Sequence, residues 1–204
     1  MRKLLLSSTG FSNRSFEKLF LAQVNKPAEQ IKAIFVPTAA VFDDAREVLP
    51  DCMRDLTDAG ILPENIMVYH LGYVMSCDHP RAYAAGKKDI PYIFRLLSLD
   101  EMLRYDAIYF CGGDPTHLLN EVNRTGFHKV LKQAVEDGIF YIGVSAGSII
   151  AAGNLSDNLG YIKNELAVHC ENGTASGGLP ENDKVFLTDA QAIWINGNAI
   201  EIID

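Results

Sequence analysis

Residues Ile139–Ile150 read IFYIGVSAGSII: an apolar run, the pentapeptide Gly143-Val144-Ser145-Ala146-Gly147, and an apolar restart. A short continuous apolar run is the pattern of a strand covered on both faces. G-x-S-x-G set between such a strand and a helix is the pattern of a sharp turn that exposes a nucleophile. Gly143 and Gly147 fit that turn because side chains at either position would collide across it. The turn would project the Ser145 hydroxyl from the carboxyl edge of a parallel sheet, where ligands of α/β proteins bind. The helix start behind it would offer N–H groups to developing negative charge. The competing reading is that small residues simply let a strand and a helix pack closely. A phosphate loop fits less well, since neither Gly-Lys-Ser/Thr nor G-x-G-x-x-G is present.

The rest of the chain alternates short apolar runs with amphipathic segments. Strands are expected at Lys3–Ser8, Ile31–Thr38, Asn65–Leu71, Asp106–Phe110 and Ile139–Val144. Helices are expected at Ser12–Val24, Asp43–Ala59 (with a kink at Pro50), Leu99–Tyr105, Pro115–Asn123 and Phe127–Asp137. Gly72–Leu97 reads as a long irregular connection with room for one short strand. Beyond Gly153 come short strand candidates at Ala167–Cys170, Val185–Leu187, Ala192–Ile195 and Ala199–Ile203. Asn196-Gly197 gives a two-residue hairpin signal between the last two. This order implies an α/β fold with three layers: a mostly parallel sheet, helices on both faces, and antiparallel C-terminal strands. With 204 residues and no linker rich in Pro, Gly or Ser, one domain over 1–204 is expected.

Charge and cysteine usage narrow the partners. Eighteen Lys+Arg against 26 Asp+Glu leave a net charge of −8, and no stretch concentrates cations, so nucleic acid is not an expected partner. Three leucines after Met1-Arg2-Lys3 are too few for a secretory signal, and no apolar run spans a membrane. A cytoplasmic protein with reduced thiols follows as the expectation. Cys52, Cys77, Cys111 and Cys170 show no Cys-x-x-Cys spacing, so neither a metal nor another cofactor is expected.

A second glycine turn, Cys111-Gly112-Gly113-Asp114-Pro115-Thr116, again follows a strand and opens a helix, with Asp114 as N-cap and Pro115 at N1. It can be a capping turn only. Beside the Ser145 turn on the next parallel strand, it can also place the Gly113 N–H with the Ala146 N–H as an oxyanion hole. Serine needs a base. His169, at the end of a short strand downstream of the serine, fits the chain order of such hydrolases, and His117 is a geometric rival. Glu171, Glu181, Asp183 and Asp189 are the downstream acids. Asp189, just before the terminal hairpin, has the best placement, though spacing alone also allows an ordinary turn aspartate.

Tyr109-Phe110-Cys111-Gly112-Gly113 and Gly143-Val144-Ser145-Ala146-Gly147, with Leu4–Ser8, Ile34–Thr38, His169 and Leu187–Ile203, resemble the peptidase E (aspartyl dipeptidase) family of serine peptidases. Those proteins look like class I glutamine amidotransferase domains with serine at the elbow. The resemblance implies a metal-free serine peptidase cleaving small peptides, typically with an N-terminal aspartate. It implies Ser145 as nucleophile, His169 as base and Asp189 at the place of the third member, where the family usually carries glutamate. Gly113 and Ala146 then supply the oxyanion-hole amides, and Gly112, Asp114 and Asp157 the substrate site. The family follows its histidine with an arginine-bearing segment. Here Cys170–Lys184 contains none, and the last arginine is Arg124.

The expected activity is therefore a serine exopeptidase acting on small peptides through an acyl-enzyme on Ser145. The alternatives are a serine hydrolase with a different substrate, a non-catalytic relative that binds a small ligand, and a thiol mechanism at Cys111. A homodimer is the one protein partner left open.

Overall fold

A computed structural model describes residues 1–81, 84, 87, 89–181 and 183–204. Four buried parallel strands form its centre: β1 (Lys3–Ser7), β2 (Ala33–Val36), β4 (Ala107–Phe110) and β5 (Phe140–Val144). β3 (Ile66–Val68) lies at one edge. Each of the central strands is apolar at successive positions because both of its faces are covered. Alternate residues feed two cores. Leu4, Leu6, Ile34, Val36, Ile108, Phe110 and Tyr141 enter one, and Leu5, Phe35, Tyr109, Phe140 and Ile142 the other.

The first core is roofed by α5 (Pro115–Arg124) and α6 (Phe127–Glu136), with α4 (Leu99–Met102) and α7 (Ala146–Ile149) at its margins. The second lies under α1 (Arg14–Val24) and α3 (Leu49–Asp58). α2 (Asp43–Glu47) precedes α3.

The C-terminal part completes the sheet. β9 (Ala192–Asn196) pairs antiparallel with β1, β10 (Ala199–Ile203) with β9, and β7 (Gly177–Gly178) with β10. The order is β3-β2-β4-β5-β1-β9-β10-β7. β6 (Leu166–Ala167) and β8 (Val185–Phe186) form a separate parallel pair. The three-layer α/β architecture with antiparallel C-terminal strands is as expected.

Several boundaries differ. The helix expected over Asp43–Ala59 is two helices that break at Val48, two residues before Pro50. Proline fits the first turn of α3 but would clash with a continuing helix on its N-terminal side. The terminal hairpin loop is Gly197-Asn198, not Asn196-Gly197. Asn196 pairs with Ala199, and Gly197 supplies the positive φ of 62°. β7 carries no strand signal at all, since glycine disfavours strands. In Gly72–Leu97 the described residues form short 3-10 turns at Leu71–Tyr73 and Tyr92–Phe94 and no strand. Within that stretch, Gly86 and Lys88 lie outside the described residues.

Candidate active site

Ser145 sits between β5 and α7 with φ 47° and ψ −102°, a backbone conformation that a residue with a Cβ rarely adopts. Packing enforces it. A Cβ on Gly143 would lie 2.7 Å from the Gly147 carbonyl oxygen, and one on Gly147 would lie 2.6 Å from the Phe110 Cβ. The turn is then bolted to the sheet. The Ser145 N–H donates to the Ser7 carbonyl at 2.9 Å, and the buried Ser148 hydroxyl reaches the carbonyls of Ser7 and Gly143. Tyr141 donates its hydroxyl to the Gly147 carbonyl at 2.6 Å.

His169 Nε2 is 3.2 Å from Ser145 Oγ, and His169 Nδ1 is 2.8 Å from Asp189 Oδ1. The order is the one in which an acid fixes an imidazole that faces a serine. His169 has φ 57°, and it and Asp189 are exposed, with side chains 49% and 62% accessible. Gly113 reaches the same edge with φ 131°, a conformation reserved for glycine here because a Cβ would lie 2.1 Å from the Ala39 carbonyl oxygen. Among the described residues the Gly113 N–H has no acceptor, and the Ala146 N–H, first of α7, has none within its helix.

Two residues that the sequence reading passed over hold the exposed pair. Ser8 Oγ accepts the His169 N–H at 3.1 Å and donates to the Thr188 carbonyl at 3.1 Å. The Thr9 hydroxyl donates to the Asp189 carbonyl at 2.9 Å. Ser7-Ser8-Thr9-Gly10 leaves a strand at the carboxyl edge, and that placement is the signal that could have found them.

A cavity of about 360 Å³ opens onto Ser145 and His169, walled by Ser8, Thr9, Asp51, Cys52, Asp55 and Gly113. Gly112 lies on this wall too, its Cα facing the Ser145 side chain. The other two expected substrate residues are elsewhere. Asp114 caps α5, its carboxylate accepting the N–H groups of Thr116 and His117. Asp157 borders a separate depression with Asn123, His128 and Lys132. Cys111 is wholly buried, and burial pushes its thiol well above the usual range, so it is a poor nucleophile. Among the described residues, no group of three His, Cys, Asp or Glu is placed to hold a metal, and no helix is long and apolar enough to cross a membrane.

Residues 95–173, which contain Ser145 and His169, match the model of peptidase family S51. The chain resembles peptidase E. A peptidase E of Streptomyces coelicolor is 42% identical over 60 residues, 29% of this chain and 24% of that protein. An uncharacterized peptidase of Pasteurella multocida is 39% identical over 56 residues, 28% of this chain and 27% of that one. The aligned segment thus spans about a quarter of the curated relatives' length. In fold, the whole chain superposes on 98% of a Listeria monocytogenes EGD-e protein provisionally described as peptidase E, with TM-score 0.64 and 22% identity. It superposes on 87% of a peptidase from an acI-B1 actinobacterium with TM-score 0.60 and 17% identity. Asp189 lies outside the matched family segment, and so does the Ser8-Thr9 loop.

Proposed function

We propose that this chain is a serine exopeptidase of peptidase E type, acting on small peptides. The observation that carries the reading is the hydrogen-bonded chain Ser145–His169–Asp189, whose Ser145 and His169 face one cavity at the carboxyl edge of the sheet. Ser145 Oγ attacks the scissile carbonyl while His169 Nε2 takes its proton. Asp189 holds the Nδ1–H and stabilises the imidazolium. The Gly113 and Ala146 N–H groups receive the oxyanion. The tetrahedral intermediate collapses, His169 returns the proton to the departing amine, and the acyl group stays on Ser145. Water, deprotonated by His169, then attacks the ester and frees both acid and serine.

A cavity of this volume suits a short peptide rather than a folded chain. The reading treats residues 1–204 as one catalytic α/β domain in the cytoplasm, with a peptide rather than nucleic acid as partner. The elbow fits a rigid nucleophile, and the exposed His169 and Asp189 fit a site that substrate itself covers.

The test is labelling with a fluorophosphonate, read by intact mass. One adduct on the wild type and none on Ser145→Ala is the expected result, followed by dipeptide hydrolysis that the variant lacks. A folded wild type that takes no label would overturn the assignment and favour a ligand-binding role.

A further inference from the structure

The cavity facing Ser145 has no Lys or Arg among the described residues of its wall, whose ionisable members are Asp51, Cys52, Asp55 and His169. Three guanidinium groups outside the wall are paired with carboxylates. Arg54 pairs with Asp51 and Arg14 with Glu17. Arg124 holds Glu121 and the carbonyls of Leu71 and Val74. A substrate carboxylate is held best by a bidentate arginine, and the wall offers none among the described residues.

Asp51 is exposed and paired with Arg54, whereas Asp55, more buried, makes no ion pair among the described residues and feels Arg14 only at longer range. Its Oδ2 accepts the Phe11 N–H at 3.0 Å and the Tyr109 hydroxyl, two neutral donors. Its Oδ1 accepts from no described residue. Resting on Ser145 as nucleophile, we propose that Asp55 is the specificity-determining residue and that the substrate presents a cation, ammonium or guanidinium, to this cavity. An incoming carboxylate meets a like charge inside a partly enclosed space, whereas an incoming cation finds a partner. Burial raises the Asp55 carboxyl, and a bound cation would favour the ionised form again, so pairing reinforces itself on occupation.

The cation can be a lysine or arginine side chain or a free α-ammonium, and one substrate set separates them. kcat/KM is measured for the p-nitroanilides of lysine, leucine and aspartate, each free and Nα-acetylated, alongside fluorophosphonate labelling. Lysine should exceed aspartate by about tenfold or more. The ratio should collapse towards unity in Asp55→Asn and persist in Asp51→Asn. Preference surviving acetylation assigns the side chain. Rates falling on acetylation, with lysine and leucine alike, assign the α-ammonium. A labelled enzyme that prefers aspartate, or is indifferent to charge, overturns the proposal and leaves the nucleophile standing. No label and no turnover sinks both. Because Asp55 also steadies Phe11 and Tyr109, its variant can lose the fold, so the wild type supplies a second readout. n-Butylamine should protect Ser145 from the label better than butyrate does, and equal or reversed protection refutes the idea.

Discussion

The proposed nucleophile and its proposed base are held in opposite ways. Ser145 lies in a turn whose shape follows from collisions: remove the glycines at 143 or 147 and the strand, helix and Phe110 cannot coexist. His169 and Asp189 lie on exposed loops, the His169 N–H donating to Ser8 Oγ and the Asp189 carbonyl accepting from the Thr9 hydroxyl. The half that must be strained is built from close packing. The half that, on the proposed mechanism, exchanges protons with substrate and water stays open. Errors at the two glycines of the first half should therefore cost fold, and errors in the second half should cost rate.

Ser145→Ala gives the largest effect, a fall in turnover of about 10³-fold or more with an unchanged melting curve. Ser145→Gly should be equally inactive yet more stable by about 1 kcal/mol, because glycine relieves the positive φ. Denaturant unfolding of both variants checks this, and equal stability would deny that the turn is strained. Gly147→Ala should lower stability by about 3 kcal/mol or leave little soluble protein, since its methyl enters Phe110. Asp189→Asn should reduce kcat by about a hundredfold and barely move the midpoint, the reverse pattern. Ser8→Ala, which frees the His169 N–H and the Thr188 carbonyl, should lower kcat about tenfold and stability by about 1 kcal/mol. If Ser8→Ala instead unfolds the protein, the two halves are not distinct.

Outside both halves, the buried Arg95 guanidinium holds the Glu101 carboxyl down at about 2. A depressed carboxyl contributes stability above its unfolded value of 4.5 and loses it as pH falls through about 2. Glu101→Gln should remove that acid-sensitive contribution, under about 1 kcal/mol, visible as a shallower stability profile between those pH values.

The same contrast explains what could be read from the residues alone. The Ser145 turn was legible because its cause is local: two glycines, a strand and a helix within twelve residues. The sheet was legible because four strands are apolar on both faces. His169 rested on chain order and Asp189 on position before the hairpin, with the family resemblance choosing among rivals. Ser8, Thr9 and Asp55 were not legible as site residues. Their roles arise only when β1 lies between β5 and β9 and α3 packs beneath the loop after β1, and no local pattern announces that pairing. Gly177–Gly178 was missed for a like reason, being a strand only because β10 lies beside it.

β1 takes its partners from residues about 140 and about 190 positions away, Leu5 facing both Ile142 and Trp194. Contacts that far apart close slowly, after the local helices and the β2–β4 pairing have formed. Refolding should thus pass through a stage with most of its helix and no catalytic power. Trp194, the single tryptophan, stacks on Phe140 at 5.5 Å and marks the end of that stage. Its fluorescence change and the return of serine labelling should share one rate constant, making the chain its own clock for the moment its chemistry switches on.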